Sequence, residues 1–268
     1  MKERIRKNAA ETPVYTAITY ALIAVALFSL PSVFRIENDG VLFALNLACR
    51  AAATLFAFFL ISTLKISIFR FGKIPFIAVF LLIAGLIVCI NNFPIIGLIT
   101  GDVRFYENAV FPRYIVYCVA VGVSEETVFR GLILPIVGIK FGDKKRGTFL
   151  TVAVSAAIFS ACHLFNIFSQ GVGATLLQVG YTFLTGGLFG LAFVVTKNIL
   201  APIVLHTVFD LGGLIFSLPF GVAYGNMWDI RTIIITAVLG VAVTAACTLY
   251  LFKYENFKNK PANDKGND

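Results

Sequence analysis

The chain has 268 residues, of which 59% are hydrophobic and only 13% are charged, and 27 of them are phenylalanine. Soluble domains carry about 25% charged residues, and a single globular core of this size could not bury so much apolar surface. The composition therefore excludes a soluble protein and predicts an all-α, polytopic membrane helix bundle.

The net charge of +8 does not indicate a nucleic-acid partner. The basic residues lie between apolar runs and form no patch with interleaved aromatic side chains. The five cysteines lie within apolar segments and lack the spacing of metal or redox motifs, so we expect them to act as small packing residues.

A helix that crosses a membrane needs about 20 mostly apolar residues, and the chain offers eight such segments. They cover residues 14–34, 41–63, 75–98, 110–139, 148–167, 172–195, 199–218 and 230–252. We expect the long fourth segment to be broken, and the third to end or kink where Asn91 and Asn92 precede Pro94.

The distribution of basic residues predicts the orientation of these eight spans. With the N-terminus inside, the cytoplasmic segments hold sixteen Lys and Arg, the outer loops hold four, and two more lie within spans. Because cytoplasmic loops carry the excess of positive charge, both termini are predicted to be cytoplasmic, in a multi-pass protein of the plasma membrane. The chain is expected to divide into four parts. Residues 1–109 hold the first three spans, residues 110–215 form the core, residues 216–253 hold the last span, and residues 254–268 form a polar, disordered cytoplasmic tail.

Ionisable side chains within the predicted spans are the strongest indication of function. Each costs roughly 2.5–3.5 kcal/mol at the centre of a membrane helix and normally pairs with another or lines a wet cavity. They are Arg50, Glu125, Glu126, Arg130, Asp210 and both histidines of the chain, His163 and His206.

The spacing of these residues places them on helix faces. Glu126 and Arg130 are four residues apart, close enough for an ion pair, and Glu125 lies about 100° around the helix from Glu126. Two further faces follow the same periodicity: Phe159, His163 and Asn166 in the fifth span, and His206 and Asp210 in the seventh. Arg50 follows no such pattern, and we expect it to pair with Asp210 or to extend toward the interface.

The depths of three of these side chains predict a common site. At about 1.5 Å per residue, Glu125 and His163 lie roughly 21–23 Å from the cytoplasmic ends of their spans, and His206 lies about 10 Å in. A carboxylate and a histidine at equal depth suit general base and acid work on water, and a second histidine could stabilise an oxyanion. The chemistry that fits is hydrolysis of an amide bond, and zinc held by Glu125, His163 and His206 could activate the water instead.

These motifs resemble those of the CAAX protease and bacteriocin-processing family, also called CPBP or Abi. The family patterns EExxxR, FxxxH and HxxxN/D are matched in order at residues 125–130, 159–163 and 206–210. The resemblance covers about residues 110–215 and implies an intramembrane endopeptidase of eight helices.

The resemblance also implies roles for single residues. Glu125 would activate the water, His163 would assist in activation or proton transfer, and His206 with Asp210 would stabilise the oxyanion. The CAAX branch has Asn at the position of Asp210, and an ionised Asp cannot donate a hydrogen bond. Asp210 is therefore expected either to orient or charge His206, or to act in its protonated form. The residues expected to support the site are Glu126, Arg130, Phe159 and Asn166.

Cofactor and partners follow from the same resemblance. The family is often described as metal-dependent, whereas its CAAX branch is also described as glutamate-dependent without metal; we favour no cofactor and keep zinc as the alternative. The expected partners are the lipid bilayer and a membrane-associated, prenylated or leader-peptide substrate. Two other functions stay open: a bacteriocin self-immunity or binding protein of the same fold, and a transporter, against which the lack of visible inverted repeats argues.

Overall fold

The computed structural model describes residues 1–72, 76–144, 146–217, 219–225 and 230–253, and its regular structure is almost entirely helical. The helices are α1 (Lys2–Glu11), α2 (Pro13–Val33), α3 (Asp39–Leu64), α4 (Phe76–Asn91), α5 (Ile95–Thr100), α6 (Phe111–Glu126), α7 (Leu134–Phe141), α8 (Gly147–Cys162), α9 (Ile167–Gln170), α10 (Val172–Thr196), α11 (Leu200–Gly213) and α12 (Ile230–Lys253). A π-helical segment, Thr127–Ile133, joins α6 to α7, and a 3-10 turn, His163–Asn166, joins α8 to α9. The tail predicted at 254–268 lies outside the described residues, as do Lys73 and Lys145 of the predicted cytoplasmic loops.

Among the residues that the structure describes, five helical segments are long and apolar enough to cross a membrane, as expected of a multi-pass integral membrane protein. They are Pro13–Val33, Asp39–Leu64, Gly147–Gln170, Val172–Thr196 and Ile230–Phe252, and two shorter apolar helices cover Ala78–Asn91 and Leu200–Gly213. Large apolar side chains such as Val241 and Leu249 are exposed on the outside of the bundle, where lipid replaces water as the solvent.

The third, fourth and seventh predicted spans can be compared with the observed helices one by one. The third is interrupted between α4 and α5, where the chain passes Asn92 and Pro94, as the sequence predicts. The fourth is not broken but stays helical from 111 to 141, and its irregularity is the π-helical segment. The seventh was predicted too long, because its helix ends at Gly213 and is followed by a turn.

The two ends of the bundle are held together by different contacts. At one end, Arg6 Nε donates to Thr63 O at 2.8 Å, Ile199 N donates to Ile68 O at 2.9 Å, and the Arg146 guanidinium lies 4.6 Å from the centre of the Phe252 ring. At the other end, strands β1 (Val103–Phe105) and β2 (Ala223–Gly225) pair antiparallel. The loops for which the sequence predicts one side of the membrane therefore gather at one end.

The core of the bundle surrounds the π-helical segment, whose seven residues are all buried. Helix α10 packs closely on α8 through Gly190, where an added Cβ would lie 3.1 Å from Val152 Cγ1 and 3.3 Å from Leu134 Cδ1. Helix α3 packs on the same segment, and α11 packs on α6, which leads into it, so the polar side chains of these helices come into one region.

Candidate active site

Glu126 is the centre of the polar cluster. Its side chain is 0% exposed, and its Oε1 accepts a hydrogen bond from Arg130 Nη1 at 2.6 Å and contacts His206 Nδ1 at 2.6 Å. The ion pair with Arg130 is the one that the four-residue spacing predicts. Because a carboxylate only accepts hydrogen bonds, His206 carries a hydrogen on Nδ1 and turns Nε2 toward the other acidic side chains.

Two further carboxylates approach that second ring nitrogen of His206. Asp210 Oδ2 lies 3.5 Å from His206 Nε2, and Glu125 Oε2 lies 3.9 Å from it. Both distances exceed those of a good direct hydrogen bond. Asp210 Oδ2 is buried and has no hydrogen-bond partner among the described residues.

Arg50 on α3 completes the cluster from a part of the chain outside the three motifs. Its Nη1 lies 3.4 Å from Glu125 Oε1 and 3.2 Å from Ser124 Oγ. The predicted direct pair with Asp210 is therefore wrong, and so is an extended side chain at the interface. Sequence reasoning missed this contact, because nothing in the spacing around Arg50 points to Glu125.

His163 lies at the end of α8, where the helix tightens into the 3-10 turn. Its Nδ1 is 3.1 Å from Phe159 O, and because a carbonyl oxygen only accepts, this contact places a hydrogen on Nδ1 and leaves Nε2 free for proton transfer. The His163 ring is half-buried and interacts electrostatically with Glu125 and His206.

Phe159 forms the wall between the two histidines. The centre of its ring lies 4.9 Å from that of His163, 6.2 Å from that of His206 and 4.5 Å from Arg130 Cζ. Asn166, which shares the predicted face, does not join the cluster, because its Nδ2 donates to Gln178 Oε1 at 2.9 Å on α10.

Arg130 is held from a second side by α10. Its Nη2 donates to Gly186 O at 3.1 Å, and its side chain is 1% exposed. The approach is close, because a Cβ at position 186 would lie 3.1 Å from Phe159 Cδ1 and 3.3 Å from Arg130 Nη2, so a larger residue would displace these side chains.

The arrangement of the acidic and histidine side chains also shows whether they could hold a metal ion. Zinc binds nitrogen and oxygen ligands at about 2.0–2.2 Å from one shared point. No group of three His, Cys, Asp or Glu side chains in the described residues has an arrangement that could hold a metal ion. Glu125, His163 and His206, the three ligands considered from the sequence, thus do not form a zinc site in this conformation.

Comparison with known proteins finds a family model that matches the part of the chain that carries these motifs. Residues 107–212 match the family model described as type II CAAX prenyl endopeptidase, Rce1-like, and the match confirms the resemblance that the three motifs indicate. None of the curated proteins matches the chain. The matched segment includes α6 to α11 up to Gly212 and excludes α3, which carries Arg50.

Proposed function

Because residues 107–212 form a domain of the Rce1-like CAAX endopeptidase family, we propose that the chain is an intramembrane endopeptidase. It hydrolyses a peptide bond of a membrane-associated, prenylated or leader-peptide substrate with a water activated by glutamate and histidine. The observation that carries the proposal is the convergence of Glu125 and Asp210 on Nε2 of His206, whose Nδ1 is fixed by Glu126.

The water would lie between Glu125 and His206. The 3.9 Å between Glu125 Oε2 and His206 Nε2 is too long for a direct hydrogen bond. Polar groups at such separations are commonly bridged by a water. Glu125, whose side chain is 16% exposed, takes a proton from this water as it attacks the carbonyl carbon.

His163 would transfer the proton that completes the cleavage. With its Nδ1 hydrogen on Phe159 O, its Nε2 would accept the proton that Glu125 took from the water and deliver it to the leaving amine, which leaves both side chains in their starting states. Its half-buried position at the end of α8 leaves this nitrogen accessible to a substrate.

The charges of the cluster support His206 as the donor to the oxyanion. With Glu125, Glu126 and Asp210 all ionised, three negative charges face the two positive charges of Arg50 and Arg130. An uncompensated charge in a membrane interior is costly, and a protonated His206 cancels it. Its Nε2–H then points at the reacting centre, and the adjacent Asp210 stabilises the ring cation, so Asp210 itself need not donate.

We place the enzyme in the membrane with eight crossings and both termini in the cytoplasm. Besides the five long apolar segments, helices α4 and α5, the helix from 111 to 141 and α11 supply the other three. The gathering of the predicted cytoplasmic loops at one end of the bundle supports this arrangement, and we expect the plasma membrane as its location.

The test compares peptide termini in membranes and medium of cells that express the wild type, Glu125→Gln or Glu107→Gln at equal levels. Glu107 lies in an exposed loop, so its variant controls for the loss of one carboxylate. New termini are expected with the wild type and Glu107→Gln and not with Glu125→Gln, and they identify the substrate and the bond.

Identical termini in all three samples would overturn the proposal. If cells expressing Glu125→Gln also remained protected from a bacteriocin, the result would favour a binding or immunity protein on the same fold. Purified protein supplied with a farnesylated peptide and its unprenylated twin separates the two substrate classes, because a prenyl-dependent enzyme cleaves only the first.

A further inference from the structure

Arg50 reaches the catalytic cluster from α3, outside the segment that matches the endopeptidase family. Its side chain is 11% exposed, and its Nη1 lies 3.4 Å from Glu125 Oε1. Glu126, the other carboxylate of the motif, is already paired with Arg130 at 2.6 Å. The two adjacent glutamates therefore have different cationic partners, one from within the matched segment and one from outside it.

The guanidinium of Arg50 is fixed by groups on two other helices. Its Cζ lies 5.1 Å from the ring centre of Phe28 on α2 and 5.4 Å from that of Tyr117 on α6. Such cation–π contacts gain strength where water is excluded. Ser124 Oγ at 3.2 Å from Nη1 adds a polar contact, so the position of the charge beside Glu125 is set by packing.

The two carboxylate oxygens of Glu125 have different neighbours. Arg50 engages Oε1, and Oε2 is the atom that faces His206 Nε2 at 3.9 Å. The attraction between Arg50 and Oε1 favours the orientation of the carboxylate in which Oε2 faces the space beside His206.

We infer that Arg50 is a positioning residue of the active site, which orients Glu125 so that its Oε2 activates the water. This inference rests on the proposed function. It assigns to the N-terminal helices a part in catalysis, because α2 and α3 together supply Arg50 and one of the rings that hold it.

The test measures kcat and KM of the purified full-length protein in lipid nanodiscs with the cleaved peptide identified above. Arg50→Gln is expected to lower kcat by about 10- to 100-fold, the range that misplacement of a catalytic group by about 1 Å produces, with KM changed less than about twofold. Arg50→Lys restores the positive charge but not the planar guanidinium, so it should recover part of the lost kcat. Arg113→Gln is the matched control, because Arg113 also lies over an aromatic ring, that of Phe43, at 5.7 Å.

The possible outcomes separate the two proposals. If wild type and Arg50→Gln cleave at equal rates, or if the loss is explained by a smaller folded fraction and Arg50→Lys restores nothing, the positioning role is overturned and the protease remains. If the wild type cleaves no more than Glu125→Gln does, both proposals are overturned. A kcat loss in a fully folded Arg50→Gln protein, with partial rescue by Arg50→Lys, supports both.

Discussion

Glu126 has a role at the residue scale that its motif alone does not reveal. One oxygen, Oε1, serves both Arg130 and His206 at 2.6 Å each, and the side chain is fully buried. Removing one partner of a buried ion pair strands the remaining charge and typically costs 3–5 kcal/mol, roughly. Glu126 therefore stabilises the fold and fixes the ring of His206 at the same time.

Glu126→Gln is predicted to lower the free energy of unfolding by about 3 kcal/mol or more and to abolish cleavage. The measurement is denaturant-induced unfolding in micelles, with Glu107→Gln as the exposed control. The double variant Glu126→Gln/Arg130→Met should recover part of the stability, since it removes the stranded cation, but not the activity. A single variant as stable as the wild type would show that Glu126 carries no buried charge.

The sequence predicts the contacts of this site that lie within one helix, but not those between helices. Residues four apart on one helix must be neighbours, so the contacts of Glu126 with Arg130 and of His206 with Asp210 follow from spacing. The contact between Glu126 and His206 joins residues 80 positions apart, and that of Arg50 with Glu125 joins residues 75 apart. Such contacts depend on how helices pack, which no periodicity within one helix specifies.

The distance between helices α6 and α11 decides, at the element scale, whether the site forms. They approach each other at Gly122, where an added Cβ would lie 2.6 Å from Thr207 Oγ1 and 3.2 Å from Thr207 N. Helix α6 carries Glu125 and α11 carries His206, so a side chain at position 122 would move apart the two groups that we propose to be catalytic.

Gly122→Val is predicted to reduce kcat at least about 10-fold and to cost about 1–3 kcal/mol of stability, the usual range for overpacking. Gly187→Val is the control, because a Cβ at position 187 meets nothing within 4 Å and the same residue enters another helix. The measurements are turnover and unfolding in the same lipid. Equal effects of both variants would mean that helix propensity, and not the contact of α6 with α11, accounts for the loss.

The depth of His206 shows where counting along one helix fails. Counted from the predicted start of its span, His206 lies about 11 Å shallower than Glu125, yet its ring touches Glu126. Helix α11 has only 14 residues, about 21 Å, which is shorter than a hydrocarbon core of about 30 Å. A helix this short need not begin at the membrane surface, so a count from an assumed surface underestimates depth.

The π-helical segment is the second feature at this scale that the sequence did not specify. Only a break in the long fourth span was expected, whereas the chain stays helical and widens over Thr127–Ile133. Single π turns within α-helices occur frequently at functional sites. Here the wide turn contains Arg130 and directly follows Glu126, so both ends of the buried ion pair belong to or border the irregular backbone.

At the scale of the whole molecule, the all-helical and multi-pass character was predictable, because composition and apolar run length reflect the solvent that surrounds the protein. Each of the eight predicted spans contains helix in the structure, since a membrane allows few other backbone arrangements. What could not be predicted is the small sheet of β1 and β2, whose three-residue strands are separated by more than 100 positions. The orientation of the bundle across the membrane does not follow from hydrophobicity, and its prediction rests on the distribution of Lys and Arg.

The orientation of the bundle in the membrane can be tested with two exposed residues at its opposite ends. Glu107 follows β1, and Lys197 lies beside the contact of Ile199 with Ile68. In a background with the five cysteines replaced by alanine, Glu107→Cys should react with a membrane-impermeant maleimide on intact cells. Lys197→Cys should react only after permeabilisation, because the excess of positive charge predicts that its end of the bundle faces the cytoplasm. The reverse pattern would invert the orientation and leave the helix packing intact, whereas labelling of both sites on intact cells would contradict the arrangement of the two ends.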